Sequence, residues 1–279
     1  MKLPPISRRK AIFLLGAGAI GSSLDAFFIE PNYLSITEKE LKLPLLPSSL
    51  DGLRVAHLTD FHYDPDSDYE LQEEVIKATN AQKPDIIALT GDFIDSKTKN
   101  IAPLLEHLSK LEAKHGVFAI MGNHDGWTTS GNHMKQLFEQ AGITFLINEN
   151  TVLNIGGDLL AIAGSDHIWH GHPDLTRTMK GLTSKIPTLA LVHEPDFFDN
   201  VVAKREVMLQ LSGHTHGGQC RVPLIGYAPK TVSFGRKYVY DTFKHGQSRL
   251  FVSRGVGTTG VRVRFACPPE LAMLTLKSV

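Results

Sequence analysis

The residues of this 279-residue chain best suited to chemistry are histidines set beside carboxylates, an amide and glycines. In chain order they are Asp60-Phe61-His62, Gly91-Asp92 with Asp95 three residues on, Gly122-Asn123-His124-Asp125, His193-Glu194 and Gly213-His214-Thr215-His216. Carboxylate oxygen, amide oxygen and neutral imidazole suit borderline divalent metals such as Mn, Zn, Fe or Co, and the lack of thiolate in the set argues against a structural zinc site. Two cations about 4 Å apart repel strongly and need a shared anion, for which Asp92 is the natural candidate. An Asp-x-His or His-x-His alone is a weak signal, because a capping Asp or a surface His explains it as well. Recurrence at five places carries the argument.

Each group follows an apolar run that reads as a strand: Leu53 to Leu58, Ile86 to Leu89, Val117 to Met121, Thr188 to Val192 and Val207 to Leu211. In an α/β sheet the loops beyond the carboxyl ends of the strands form the ligand crevice, so Asp60, His62, Asp92, Asn123, His124, His193, His214 and His216 are expected to converge. The glycines before Asp92, Asn123 and His214 permit tight turns where a branched side chain would obstruct the crevice. Helical spacing appears at Leu71, Val75, Ile76 and Thr79, at Ile101, Leu104, Leu105, Leu108 and Leu111, and over His133 to Ala141. Phe145 to Ala163, with turn residues Gly156-Gly157, predicts antiparallel strands. Further strands are expected at Tyr33 to Leu43, Tyr238 to Tyr240, Leu250 to Ser253 and Leu271 to Leu276. The order predicts an α/β domain with sheet layers covered by helices.

Composition narrows the function. Lys+Arg 29 balances Asp+Glu 29, so the basic excess of a phosphate-backbone binder is missing and no specific nucleic-acid partner is expected. Cys220 and Cys267 cannot form a disulfide framework or a four-cysteine zinc site; one isolated bridge is the most they allow. Ser7-Arg8-Arg9-Lys10 followed by the uncharged stretch Ala11 to Ile20 has the layout of an export signal, and the paired arginines resemble a twin-arginine signal. That reading makes the twin-arginine translocase a partner and places the protein in the periplasm or cell wall. Apolar character resumes at Leu24 to Ile29, which leaves open an uncleaved anchor in the inner membrane.

As an ordered set, Asp60-x-His62, Gly91-Asp92, Gly122-Asn-His-Asp125, His193 and Gly213-His-x-His216 resemble the calcineurin-like metallophosphoesterase signature. The resemblance implies a single domain of two facing mixed β-sheets flanked by helices, in four layers, with two divalent metal ions at the strand ends. It implies that Asp60, His62 and His216 bind one metal, that Asn123, His193 and His214 bind the other, and that Asp92 bridges them. His124 resembles the family's catalytic histidine, and Asp95 matches the carboxylate that orients it in the protein-phosphatase branch. The implied reaction is hydrolysis of a phosphodiester or pyrophosphate bond by a hydroxide held between the metals. Ser96-Lys97 stands where that branch has Arg-Gly, which weakens a phosphoprotein assignment.

Glu30-Pro31, Gly213 to Gln219, Ser253-Arg-Gly-Val-Gly257 and Pro268-Pro-Glu270 resemble a bacterial branch of exported or membrane-anchored phosphodiesterases, related to UDP-2,3-diacylglucosamine pyrophosphohydrolase. A phosphodiester or a nucleotide-lipid is thus the expected substrate. The reading of another class is a non-catalytic, metal-stabilised scaffold. The chain divides into 1–30 (export signal or anchor), 31–52 (N-terminal strand and connection) and 53–279 (catalytic domain). Arg221, Lys230, Arg254, Arg262 and Arg264 are candidates for substrate phosphates or for solvated surface. His167, His170 and His172 around Trp169 line a substrate loop or pack as an ordinary one.

Overall fold

The computed structural model describes residues 7–64, 69–95, 100–222 and 232–279. Among these, two six-stranded mixed sheets face each other. The first holds β1 (Ser35–Leu43), β2 (Arg54–Leu58), β3 (Ile86–Leu89), β4 (Val117–Ala119) and β5 (Thr144–Phe145). The second holds β6 (Glu149–Ile155), β7 (Asp158–Gly164), β8 (Thr188–Leu191), β9 (Leu209–Ser212), β10 (Asp241–His245) and β11 (Ser248–Val252), before β12 (Glu270–Ser278) returns to the first sheet between β1 and β2. Strands β2 to β5 run parallel, as do β7, β8, β9 and β11, so within each set the carboxyl ends share one edge.

The central strands are apolar on both faces because both are covered. In β3, Ile86 and Ala88 point to the other sheet while Ile87 and Leu89 point away from it. Between the sheets, Val55, Ile86 and Phe118 share a core with Ile162, Leu189, Leu209 and Phe251. Outside the first sheet lie α2 (Tyr69–Ala81), α3 (Ala102–Leu108) and α5 (Gly131–Gln140), which bury Val75, Leu104, Leu108, Met134 and Phe138 against it. Outside the second, α6 (Leu175–Thr178) packs Leu175 and α7 (Phe198–Lys204) buries Phe198 and Val201. Each such side chain contributes about 1.5–3 kcal/mol on burial. These four layers are the expected architecture.

The β6–β7 hairpin turns at Gly156 and Gly157, whose φ values of 62° and 99° are open to glycine without strain. The strand expected at Tyr238 to Tyr240 is not one. The Asp196 carboxylate collects the backbone N–H groups of Arg236, Lys237 and Tyr238, drawing this stretch into a loop, and the ladder begins only at β10. Tyr238 packs instead against Phe198 and Phe243, with ring centroids 5.9 and 4.9 Å away.

At the N-terminus, α1 (Arg8–Leu24) is capped by the Ser7 hydroxyl. Among the described residues no helix is long and apolar enough to cross a membrane. Ala26 and Glu30 are buried on the domain: the Ala26 carbonyl accepts the Arg264 N–H at 3.0 Å, and the Glu30 carboxylate accepts those of Ala266 and Cys267. The expected division at residue 30 falls within this contact. Cys220 and Cys267 are both free thiols.

Candidate metal centre

The side chains expected to meet do so at the carboxyl ends of the parallel strands. Asp60 and His62 follow β2, Asp92 follows β3, His193 follows β8, and His214 and His216 follow β9. Asn123 and His124 open the short helix α4 (Asn123–Thr128). Ligand-type atoms of Asp60, His62 and His216 lie within 4.8 Å of one another, as do those of Asp92, His193 and His214; a third such group joins His62, Asp92 and His124. The first two groups each draw on both sheets.

Asp92 sits at the middle. Its Oδ1 accepts the His124 backbone N–H at 2.9 Å, which leaves Oδ2 facing inward, 3.1 Å from His193 Nε2 and 3.4 Å from His62 Nε2. Glycine at 122 makes this approach feasible, since a Cβ there would overlap Asp92 Oδ1 and its backbone N. Across the cleft, both oxygens of Asp60 accept the His214 N–H at 2.9 Å, and a Cβ at Gly213 would overlap Oδ2. His216 Nε2 lies 3.4 Å from Asp60 Oδ1.

The local backbone is strained where it turns into the pocket. Asp60, His62, Asp92, His214 and His216 have φ of 53°, 40°, 53°, 69° and 49°, the left-handed region that costs a non-glycine residue about 1–2 kcal/mol. Hydrogen bonds hold them there: Asp60 N–H to the Gly91 carbonyl and His62 N–H to the Asp92 carbonyl, each at 2.9 Å. Strain of this kind persists only where surrounding contacts over-determine it, and it collects at functional sites.

The pocket fits cations. Both ring nitrogens of His62, Nδ1 of His216, Nε2 of His193 and both amide atoms of Asn123 are buried without a hydrogen-bond partner. Buried polar atoms are rarely left so, and six on four adjoining residues fit the coordination of cations. The outer nitrogens of two others are already engaged. His193 Nδ1 donates to the Thr90 carbonyl at 2.7 Å, and His214 Nε2 donates to that of Ser233 at 2.6 Å. A carbonyl can only accept, so each contact holds a proton on the outer nitrogen and leaves the opposite, inward nitrogen as the one that can bind a cation, the arrangement that orients metal-ligating imidazoles.

The electrostatics of the pocket's own side chains agree. Burial pushes the Asp92 carboxyl up, but the His193 and His62 imidazoles outweigh it and hold Asp92 well below the usual carboxylate range. Burial likewise pulls His193 down, yet Asp92 draws it well above the ordinary value, and His62 rises for the same reason. His216 has no such compensation: burial, then the charge of His62, holds it well below. Protons on His62 and His193 thus neutralise Asp92 where cations can replace them. Burial lowers His124 to about 4, against the attraction of Asp92 and, more weakly, of Asp95, which therefore lies within electrostatic reach of the ring.

Two carboxylates escaped the sequence reading. Asp125 is buried and accepts the N–H groups of Phe93 and Ile94 on Oδ1 and of Gly122 on Oδ2, tying the loop after β3 to that after β4. Burial, then the Asp92 charge, pushes it to about 7. Glu194 accepts the N–H groups of Ile168 and Trp169, both at 2.9 Å, and so anchors the loop after β7. The signal available was an acidic residue adjoining the candidate proton donor His124 in one case and the candidate ligand His193 in the other.

The arginines each have partners within the chain. Arg264 is fully buried, donating to the carbonyls of Arg254, Gly255, Gly257 and Cys267. Arg254 pairs with the buried Glu270 at 3.0 Å and reaches Thr37 Oγ1, pinning β1 to the loop after β11. Arg221 lies over the Tyr240 ring and Arg262 bonds Asn32, while Lys230 falls outside the described residues. Of the histidines around Trp169, His167 is buried with Nδ1 on the Trp169 carbonyl, and His170 and His172 are exposed.

Comparison with known proteins places this geometry. Residues 53–218, which span every ligand candidate, match the family described as calcineurin-like phosphoesterase. The chain is 35% identical over 276 residues to the "Uncharacterized metallophosphoesterase YkuE" of Bacillus subtilis, covering 95% of this chain and 94% of that protein. It is 31% identical over 286 residues to the "Phosphodiesterase YaeI" of Escherichia coli, covering 97% and 99%. An "Uncharacterized metallophosphoesterase" of Aquifex aeolicus is 28% identical, with 89% and 94% covered. With two helix-flanked sheets, clustered Asp and His ligand candidates and this sequence similarity, the chain belongs to the calcineurin-like phosphoesterases and is a metal-dependent phosphoester hydrolase.

Proposed function

We propose that the protein hydrolyses a phosphodiester, with two divalent cations held by Asp60, His62 and His216 on one side, Asn123, His193 and His214 on the other, and Asp92 between. The observation that carries this reading is the single inward oxygen of Asp92, shared by His62 and His193 from opposite sheets. Cations bound there would supply Lewis acidity toward water and the phosphoryl oxygens.

The chain's own groups decide where that acidity acts. Asp92 supplies the negative charge common to both halves, and the Thr90 and Ser233 carbonyls hold the outer N–H groups of His193 and His214, so that the inward nitrogens are the ones aimed at a cation. His124 is only partly buried, its ring 4.6 Å from that of His62, on the open side where an ester enters. Its role is to pass a proton from a ring nitrogen to the departing alkoxide. An arriving phosphodiester anion adds to the attraction of Asp92 and Asp95, favouring the protonated ring at the moment it is needed.

The printed name of the Escherichia coli relative supports a diester over a monoester. The test is a substrate profile of the manganese-loaded protein on 4-nitrophenyl diesters, 4-nitrophenyl phosphate and UDP-2,3-diacylglucosamine. Diesters are expected to be cleaved with the highest kcat/KM. Exclusive cleavage of the monoester overturns the reading, and selective cleavage of the lipid nucleotide moves it to a pyrophosphate bond.

A further inference from the structure

The protein has two tryptophans, and both stand at the mouth of the metal centre. Trp127, on α4, has its ring centroid 4.6 Å from that of His124; Trp169, in the loop after β7, lies 6.2 Å from His214. The two indoles meet edge to face at 5.0 Å, so they join the rim of one half of the centre to the rim of the other. Neither is core: Trp127 is 43% exposed and Trp169 is partly exposed.

Both are nevertheless held in place. The buried Glu194 carboxylate, next to His193, fixes the Trp169 backbone, and His167 Nδ1 bonds the Trp169 carbonyl at 3.0 Å. A Cβ at Gly126 would overlap the His167 ring, so the Trp127 helix and the Trp169 loop abut at a glycine. Large aromatic side chains left exposed but fixed beside catalytic groups present π-faces to a ligand.

Resting on the diesterase reading, we propose that Trp127 and Trp169 form a stacking subsite for a planar aromatic group on the phosphodiester, a nucleobase or an aryl ester. The substrate class this selects is an aromatic or nucleoside diester rather than an alkyl one. Ester groups of similar volume but without a π-face gain only burial there.

Because these are the two tryptophans of the protein, their emission reports on the subsite without turnover. The metal-loaded full chain is mixed in stopped flow with the phenyl, cyclohexyl and methyl esters of methylphosphonate, so that binding is read before the P–O bond is cleaved, and with the thymidine 5′ ester to separate a nucleobase from a simple aryl group. The phenyl ester is expected to bind about tenfold more tightly than the cyclohexyl ester and to change the emission. Trp127→Ala and Trp169→Ala should each shrink that ratio, while Trp127→Phe and Trp169→Phe keep it. Equal affinity for phenyl and cyclohexyl esters, a ratio that survives both alanine variants, or no emission change with any ester overturns the subsite. Failure of the diesterase reading shows separately, as absent hydrolysis of 4-nitrophenyl diesters.

Discussion

The loops of the first sheet bring every candidate oxygen ligand to the centre, Asp60, Asp92 and Asn123, whereas those of the second sheet bring only imidazoles, His193, His214 and His216. The first sheet supplies negative charge, and the second supplies neutral donors oriented by backbone carbonyls. The group of Asp60, His62 and His216 and the group of Asp92, His193 and His214 each take members from both sheets, while the third, His62, Asp92 and His124, comes from the first sheet alone. The centre therefore exists only while the two sheets are packed face to face, which couples cation binding to the stability of the inter-sheet core.

The sharpest way to break this comparison is to remove the shared charge. Asp92→Ala is expected to lower activity on the order of a thousandfold or more and to release both ions, while His216→Ala on the second sheet releases one. Metal content by atomic emission decides it; two ions retained by Asp92→Ala would show that the halves are independent. His124→Ala should lower kcat by about 10²–10⁴ with both ions kept, as fits a proton donor. Loss of an ion in step with activity would instead make His124 a further imidazole ligand from the first sheet.

The smallest effect probes the layer that joins the sheets. His57 on β2 lies edge-on to Phe251 of β11, its Nε2 2.8 Å from Thr90 Oγ1, and burial lowers it from 6.5 to about 3. Between those values the unfolded chain binds the proton and the folded one does not, so stability falls as pH drops from about 6.5 toward about 3. The whole window amounts to at most about 5 kcal/mol. His57→Leu should flatten urea-denaturation stability against pH between 6 and 4, whatever it costs at neutral pH. An unchanged slope would place the acid sensitivity elsewhere.

Much of this was legible in the amino-acid order. Strands β2, β3, β4, β8 and β9 announce themselves as short apolar runs, and the candidate ligands stand immediately beyond them because parallel strands open their loops at one edge. Helices α2, α3 and α5 carried periodic apolar residues, α3 because its 7 residues sit within the longer periodic run 101–111; α4 and α7, with 6 and 7 residues, have no such extension. The aromatic run at 238–240 looked like a strand, but Asp196, forty residues earlier, takes its N–H groups. Arg264 read as a surface or phosphate-binding residue, since no local pattern reveals four carbonyls converging on a guanidinium.

Local order by itself determined the fold class, the family and the candidate ligands, because periodicity and donor type reside in neighbouring side chains. Only the tertiary structure decided that Asp92 turns one oxygen inward, that five candidate ligands adopt left-handed backbone, and that Trp127 and Trp169 meet across the mouth. Those outcomes depend on packing between segments from tens of residues to more than a hundred apart, where sterics and hydrogen bonds outweigh each residue's own preference.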